Sequence, residues 1–305
     1  MVLERIRSEK DTSWIADKRI EKIPSSYHGE KRLATGEVES TSISSDNILI
    51  EMRRQSNPER EDGLVGDNYT MIPDLDVYAV FDGVSLSSSD STSAYGASKL
   101  LEKKWQQYAN KELDNLSVEK IHDLMLKIVQ DVQTRLCEIN KIESSNFLST
   151  CSMVKIHQGY CLVVSVGDSP VFLQTDQGIE QITIAHDKIR EGTKDKNGKR
   201  LSSNIDEFVS TDFHFDKKEL QIKQKNPGII RNNPTSFLGR KEGFVVDFYV
   251  RQLKKGDRIL LASDGAMKKN SNLSLDTEDN LSNMANSLVE DFSSDDDATI
   301  LLLGN

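Results

Sequence analysis

Two periods divide the chain. Ile121, Leu124, Met125, Ile128, Val129, Val132 and Leu136 recur at intervals of three and four, one continuous stripe that predicts a helix capped by Ser117. Ala94, Ala97, Leu100, Leu101 and Trp105 keep the same spacing and predict a helix before it, with Ser91, Thr92 or Ser93 as its cap. The stripe from Ile121 to Leu136 has the form of a helix packed on a sheet. From Thr150 the period shortens to apolar or alternating runs at 151–156, 160–166, 170–174 and 179–184, separated by Gly or polar turns, which predicts an antiparallel meander. Apolar runs at 77–82 and 258–262 read as buried strands. Further strands are expected at 47–52, 244–251 and 298–303, with a helix at 277–291.

Polar stretches mark the connections. Residues 1–45 are charged and Ser/Thr-rich with weak periodicity, an extension that is either an arm or an added strand pair. The Ser-rich stretch at 85–93 reads as a loop. The strongly polar residues 186–230, with Asp-Lys-Asn-Gly-Lys-Arg at 195–200, read as a solvent-exposed excursion from the core. No internal repeat is visible, so the expected organisation is an N-terminal extension at 1–45 and one domain at 46–305.

Composition narrows the function classes. With 305 residues the chain is long enough for a full core, and 36% hydrophobic with 29% charged residues is a globular composition. The formal charge is −10 and no basic block occurs, which argues against a nucleic-acid partner. No stretch approaches the roughly 18 to 20 apolar residues of a membrane helix. Residues 1–10 carry Glu, Arg and Lys where a signal peptide has an apolar core, so a cytoplasmic protein is expected. Cys137, Cys151 and Cys161 lack C-x-x-C spacing and read as reduced, packed thiols. His28, His122, His157, His186 and His214 are scattered without ligand spacing and read as surface or packing residues.

The candidate chemistry lies in carboxylates at strand ends: Asp67, Asp82, Asp264 and the triplet Asp295-Asp296-Asp297. An Asp-Gly after a strand is by itself an ordinary turn. Several such carboxylates brought together would suit divalent ions with oxygen ligands, Mg²⁺ or Mn²⁺ above all.

Val-Phe-Asp-Gly-Val (80–84), Ser-Val-Gly-Asp-Ser (165–169), Leu-Ala-Ser-Asp-Gly (261–265) and Asp-Asp-Ala-Thr-Ile (296–300) follow the order seen in the metal-dependent protein phosphatases. Gly-Asp-Asn-Tyr (66–69), Leu-Ser-Thr-Cys (148–151) and Phe-Leu-Gly (237–239) add to the likeness, and residues 45–303 resemble the protein phosphatase 2C family. The resemblance implies an α/β (α+β) fold, a four-layer αββα sandwich of two antiparallel sheets with helices outside. It implies that 186–230 form a flap beside the site. It also implies hydrolysis of phosphoserine and phosphothreonine in proteins by a water that two Mn²⁺ or Mg²⁺ ions activate. Carried over, Asp82 bridges both metals and the Gly83 carbonyl binds one. Asp264 and Asp296 bind the other, and Asp67 acts through metal-bound waters. The implied partner is a phosphoprotein, in a signalling setting opposite a Ser/Thr kinase.

The match has gaps. Val84-Ser85 stands where many members have His or Met and then Gly-Gly, so the family's histidine acid is missing. Arg60, Arg53 or Arg54 stand nearest to the family's phosphate-gripping arginine, yet read as exposed, solvated side chains. Asn146 is the nearest equivalent of a third-metal carboxylate, which makes a third ion labile or absent. Asp168 reads as a structural turn carboxylate. Asp297 could ligate, orient a ligand or face solvent. These gaps motivate one rival function, a catalytically weak or inactive phosphatase-like binding module. A second rival is a metal-dependent hydrolase of small phosphorylated molecules, which would need a lid or pocket over the cleft.

Overall fold

The computed structural model describes residues 26–29, 33, 37–44, 48–57, 64–84, 90–109, 113–186, 235–267, 280–290 and 296–304. Arg60, Asp295, His214, the Ser-rich stretch at 85–89 and nearly all of the polar excursion, from 187 to 234, lie outside them. The strands are β1 (Tyr27–His28), β2 (Val38–Ser44), β3 (Leu49–Gln55), β4 (Asp67–Ile72), β5 (Val77–Asp82), β6 (Cys151–His157), β7 (Tyr160–Val166), β8 (Val171–Thr175), β9 (Gly178–Gln181), β10 (Asp247–Gln252), β11 (Arg258–Ala262) and β12 (Ala298–Gly304). The helices are α1 (Asp90–Tyr108), α2 (Val118–Glu143) and α3 (Leu281–Glu290). One sheet runs β1-β4-β5-β6-β7-β10 and the other β2-β3-β12-β11-β8-β9, with antiparallel pairing throughout.

Strand alternation builds the layers. On β5, Val77, Ala79 and Phe81 point to one face and bury against Leu101, Trp105, Leu124 and Ile128 of α1 and α2. Tyr78 and Val80 point the other way, into an apolar layer shared with Ile50, Met52, Ile259, Leu261, Leu301 and Leu303 of the second sheet. The outer face of that sheet, Leu260, Ile300 and Leu302, packs on Met284, Ala285 and Leu288 of α3. The order is helix, sheet, sheet, helix, the four-layer sandwich expected.

Local signals account for the helix ends. The Ser117 hydroxyl accepts from the Lys120 N–H at 3.4 Å, the capping role predicted for it. The first helix differs: it begins at Asp90 and takes in Ser91, Thr92 and Ser93. Ser93 is buried, and its hydroxyl accepts from the Leu148 N–H at 3.2 Å, so tertiary contact replaces the cap.

The chain before residue 46, left open between arm and strand pair, adds an edge strand to each sheet in its described residues. Gly29 N–H donates to Asn68 Oδ1 at 3.2 Å and Asn68 Nδ2 donates back to the Gly29 carbonyl at 3.0 Å. Glu39 on β2 pairs with the guanidinium of Arg54, Oε2 to Nη2 at 2.6 Å. Cys151 and Cys161 are buried thiols as expected, and Cys137 is partly buried. Burial pushes the Cys161 thiol up to about 12, which keeps it protonated and unreactive.

The helix-facing core should dominate stability. Leu124→Ala is expected to cost about 2–5 kcal/mol in chemical denaturation, whereas Ile142→Ala, at a position 76% exposed, should change it by no more than about 0.5 kcal/mol.

Candidate functional site

Hairpin register brings the first two carboxylates together. The β4–β5 ladder pairs Asp67 with Asp82 at the open end of the hairpin. Gly83 N–H donates to the Gly66 carbonyl at 2.9 Å, which makes 66 and 83 a hydrogen-bonded pair and leaves Asp67 and Asp82 as a non-bonded one. In such pairs the side chains stand closest, with Cα atoms about 4.5 Å apart. Both carboxylates share a face with Tyr69, Met71, Tyr78 and Val80, so they point into the space between the sheets. Like charges directly opposite on a ladder are destabilising. A fold that keeps such a pair at a buried strand end has a use for it.

The second sheet supplies two more. Asp264 follows β11 and Asp296 precedes β12, and the two strands pair through Ala262 and Ile300. A Cβ on Gly265 would overlap the Asp297 carbonyl and crowd the Asp296 side chain, so only glycine lets the two loops lie on each other. Ser263 N–H donates to the Thr299 carbonyl at 2.9 Å, and Thr299 N–H donates to Ser263 Oγ at 3.0 Å. Asp264 and Asp296 are partly exposed, whereas Asp67 is 2% exposed.

The backbone of Asp82 is held at both ends. Its N–H donates to Thr150 Oγ1 at 3.0 Å, and its carbonyl accepts from Thr150 N–H at 2.8 Å and Ser149 Oγ at 3.1 Å. Val84 N–H donates to the Leu148 carbonyl at 3.0 Å, so the bridge between Gly83 and Ser149 uses bonds on either side of Gly83 and leaves the Gly83 carbonyl out of the ladder.

Electrostatics register the convergence. Burial first, then the charges of Asp67, Asp264, Asp168 and Asp296, holds the Asp82 carboxyl well above the usual carboxylate range. Burial and the charges of Asp297, Asp296 and Asp264 raise Asp67 in the same way, against a lowering hydrogen bond from Ser263. Asp67 Oδ2 is buried and has no hydrogen-bond partner among the described residues. An oxygen-only donor set with an orphaned buried carboxylate oxygen fits a hard divalent cation. No three acidic, imidazole or thiol side chains among the described residues already stand close enough to enclose one ion.

Other expected residues are placed differently. Arg53 and Arg54 are buried rather than solvated, at 5% and 0% exposure. Arg53 donates to Glu51, the Met52 carbonyl and Asn286, and Arg54 pairs with Glu39 and donates to the Asp67 carbonyl at 3.3 Å. Both brace strands, and Arg60 lies outside the described residues. Asn146 is exposed in the loop after α2. Asp168, read as a turn residue, does lie in the β7–β8 turn, yet its charge also acts on Asp82. Asp297 accepts the N–H groups of Asn57 and Gly66, each at 2.7 Å, which ties the loop before β4 to the start of β12.

Comparison with known proteins follows the same lines. A family model described as Protein phosphatase 2C matches residues 52–299. No curated protein matches by sequence. Among solved structures, the serine/threonine phosphatase PstP/Ppp of Mycobacterium tuberculosis has a TM-score of 0.58 at 16% identity, over 84% of this chain and 98% of that one. Stp1, a serine/threonine phosphatase from Staphylococcus aureus, gives 0.61 at 14% identity, over 84% and 94%. PppA, a key regulatory component of the T6SS in Pseudomonas aeruginosa, gives 0.61 at 14% identity, over 87% and 99%. At these identities the likeness is one of fold. No helix among the described residues is long and apolar enough to cross a membrane.

The raised carboxylates have a signed consequence for the chelated protein. A native value above the unfolded one means the native state binds more protons, so stability is full below the unfolded value and falls as pH rises through the native one. With chelator present, Asp67→Asn should melt above the parent protein at about pH 7, and the difference should close toward about pH 4. A variant that melts below the parent at the higher pH would show that the buried charge is not a burden.

Proposed function

We propose that this chain, which belongs to the protein phosphatase 2C family, hydrolyses phosphoserine and phosphothreonine in proteins with Mn²⁺ or Mg²⁺ as cofactor. The observation that carries the reading is the opposed pair Asp67 and Asp82, facing Asp264 and Asp296 across the sheets, with a buried Asp67 oxygen lacking a partner among the described residues. A binding module has no physical reason to keep four mutually repelling carboxylates together.

Asp82 and the Gly83 carbonyl, with Asp67, Asp264 and Asp296, would hold two ions. Bound there, divalent cations supply Lewis acidity and bring a water's pKa toward neutrality. The chain's own part is to fix the donors. Thr150 and Ser149 grip the Asp82 backbone, and the Gly265 contact sets Asp264 beside Asp296. The cluster also explains why activity should require a cation. A phosphate dianion approaching four carboxylates on a chain of net charge −10 meets only repulsion until that charge is offset. No nucleophilic side chain enters the scheme, which agrees with a buried, protonated Cys161. Phosphoproteins are the substrates this reading names, in a signalling role opposite a Ser/Thr kinase in the cytoplasm.

Hydrolysis of an aryl phosphate and of a phosphothreonine peptide, with Mn²⁺ and with chelator, tests the proposal. Both should be turned over with Mn²⁺ and neither with chelator, and Asp82→Ala should lower kcat/KM by about 10²-fold or more. Turnover that survives chelation would overturn the two-metal reading. Aryl phosphate hydrolysis without peptide hydrolysis would favour a small-molecule substrate, and no turnover with any metal would favour the binding module.

A further inference from the structure

His186 ends the described chain before the polar excursion, and it is 3% exposed. Its backbone N–H donates to the Gly167 carbonyl at 2.8 Å, and its ring Nδ1 accepts from the Gly167 N–H at 2.9 Å. A ring nitrogen that accepts from an amide carries no proton, so the neutral ring has its hydrogen on Nε2. That nitrogen stands 3.0 Å from Asp247 Oδ2 but is not aligned for a hydrogen bond to it, and the same oxygen accepts from Tyr249 Oη at 2.8 Å. The His186 carbonyl accepts from the N–H and hydroxyl of Thr235, at 2.7 and 3.1 Å, so the chain leaves and re-enters the described fold at one point.

What His186 grips adjoins the carboxylates. Gly167 has φ +101°, and a Cβ there would strike the Thr150 side chain. Thr150 Oγ1 accepts from Asp82 N–H and shares a 2.7 Å hydrogen bond with Ser169 Oγ. Between Gly167 and Ser169 stands Asp168, whose charge acts on Asp82. The ring cannot serve as a proton donor to substrate, because it is enclosed, at 3% exposure.

We propose that His186, fixed between Asp247 and Gly167, is a positioning residue: it sets the Gly167-Asp168-Ser169 turn against Thr150 and thereby the place of Asp168 relative to Asp82. The proposal rests on the metal-dependent reading of the site. Its effect should fall on cation affinity, with little change in the KM for the phosphate ester once metal saturates.

Calorimetric titration of the full chain with Mn²⁺, alongside selective ¹⁵N-histidine NMR, tests it. The wild-type His186 ring should show an unprotonated, hydrogen-bonded Nδ1 and a protonated Nε2. His186→Ala should weaken Mn²⁺ binding by about tenfold. His186→Asn, whose Oδ1 takes the place of Nδ1, should recover affinity to within about threefold of wild type. Wild-type binding with equal binding by a folded His186→Ala would overturn the proposal alone, and no Mn²⁺ binding by wild type would overturn the metal reading with it. Should His186→Ala fail to fold, the wild-type ring and the Asn variant decide: an Nδ1-protonated ring, or an Asn variant as weak as a tenfold loss, contradicts the proposal.

Discussion

One register governs the site: the antiparallel pairing of β4 with β5 that sets Asp67 directly opposite Asp82. A slip of one residue would turn one of the two carboxylates toward α1 and α2 and break the pair. The apolar residues along the same hairpin prevent it. Val77, Ala79 and Phe81 fit only the helix-facing core, and Tyr69, Met71, Tyr78 and Val80 fit only the layer between the sheets. Core packing therefore fixes where the charges stand, at the mouth of the hairpin and toward the other sheet.

The charges are unfavourable to the fold by themselves, and the surrounding bonds show how it tolerates them. Backbone groups of Asp82 are held by Thr150 and Ser149, and the Asp67 carbonyl takes a bond from buried Arg54. Asp297 spends its negative charge on two backbone amides, while still raising Asp67. Glu39 from β2 neutralises Arg54, so a strand from the chain's first 45 residues braces the neighbour of a site residue. Stability and site geometry thus share the same few side chains.

Much of this was legible in the sequence because it is periodic or local. The stripe from Ile121 to Leu136 became α2, and the short runs after Thr150 became strands β6 to β9. They form two hairpins in different sheets, β6–β7 and β8–β9, and not the single meander expected, because the Gly167-to-Pro170 turn carries the chain from one sheet to the other. The Asp-Gly strand ends at Asp82 and Asp264 stood out as local motifs. What escaped was what depends on partners distant in sequence. Arg54 looked solvated because nothing nearby shows that Glu39 and Tyr69 will enclose it. Asp168 looked like a turn residue because its neighbours Gly and Pro are turn formers, and only the fold sets its charge against Asp82. Ser93 read as a cap because its bond to Leu148 spans 55 residues.

Whether four carboxylates from two sheets form one divalent-cation centre is decided by diffraction from crystals containing Mn²⁺, recorded at the manganese edge. Two anomalous peaks about 4 Å apart are expected, both within bonding distance of Asp82, with Asp264 and Asp296 on one of them. Peaks absent from that cleft, or manganese bound only by groups elsewhere on the surface, would contradict it.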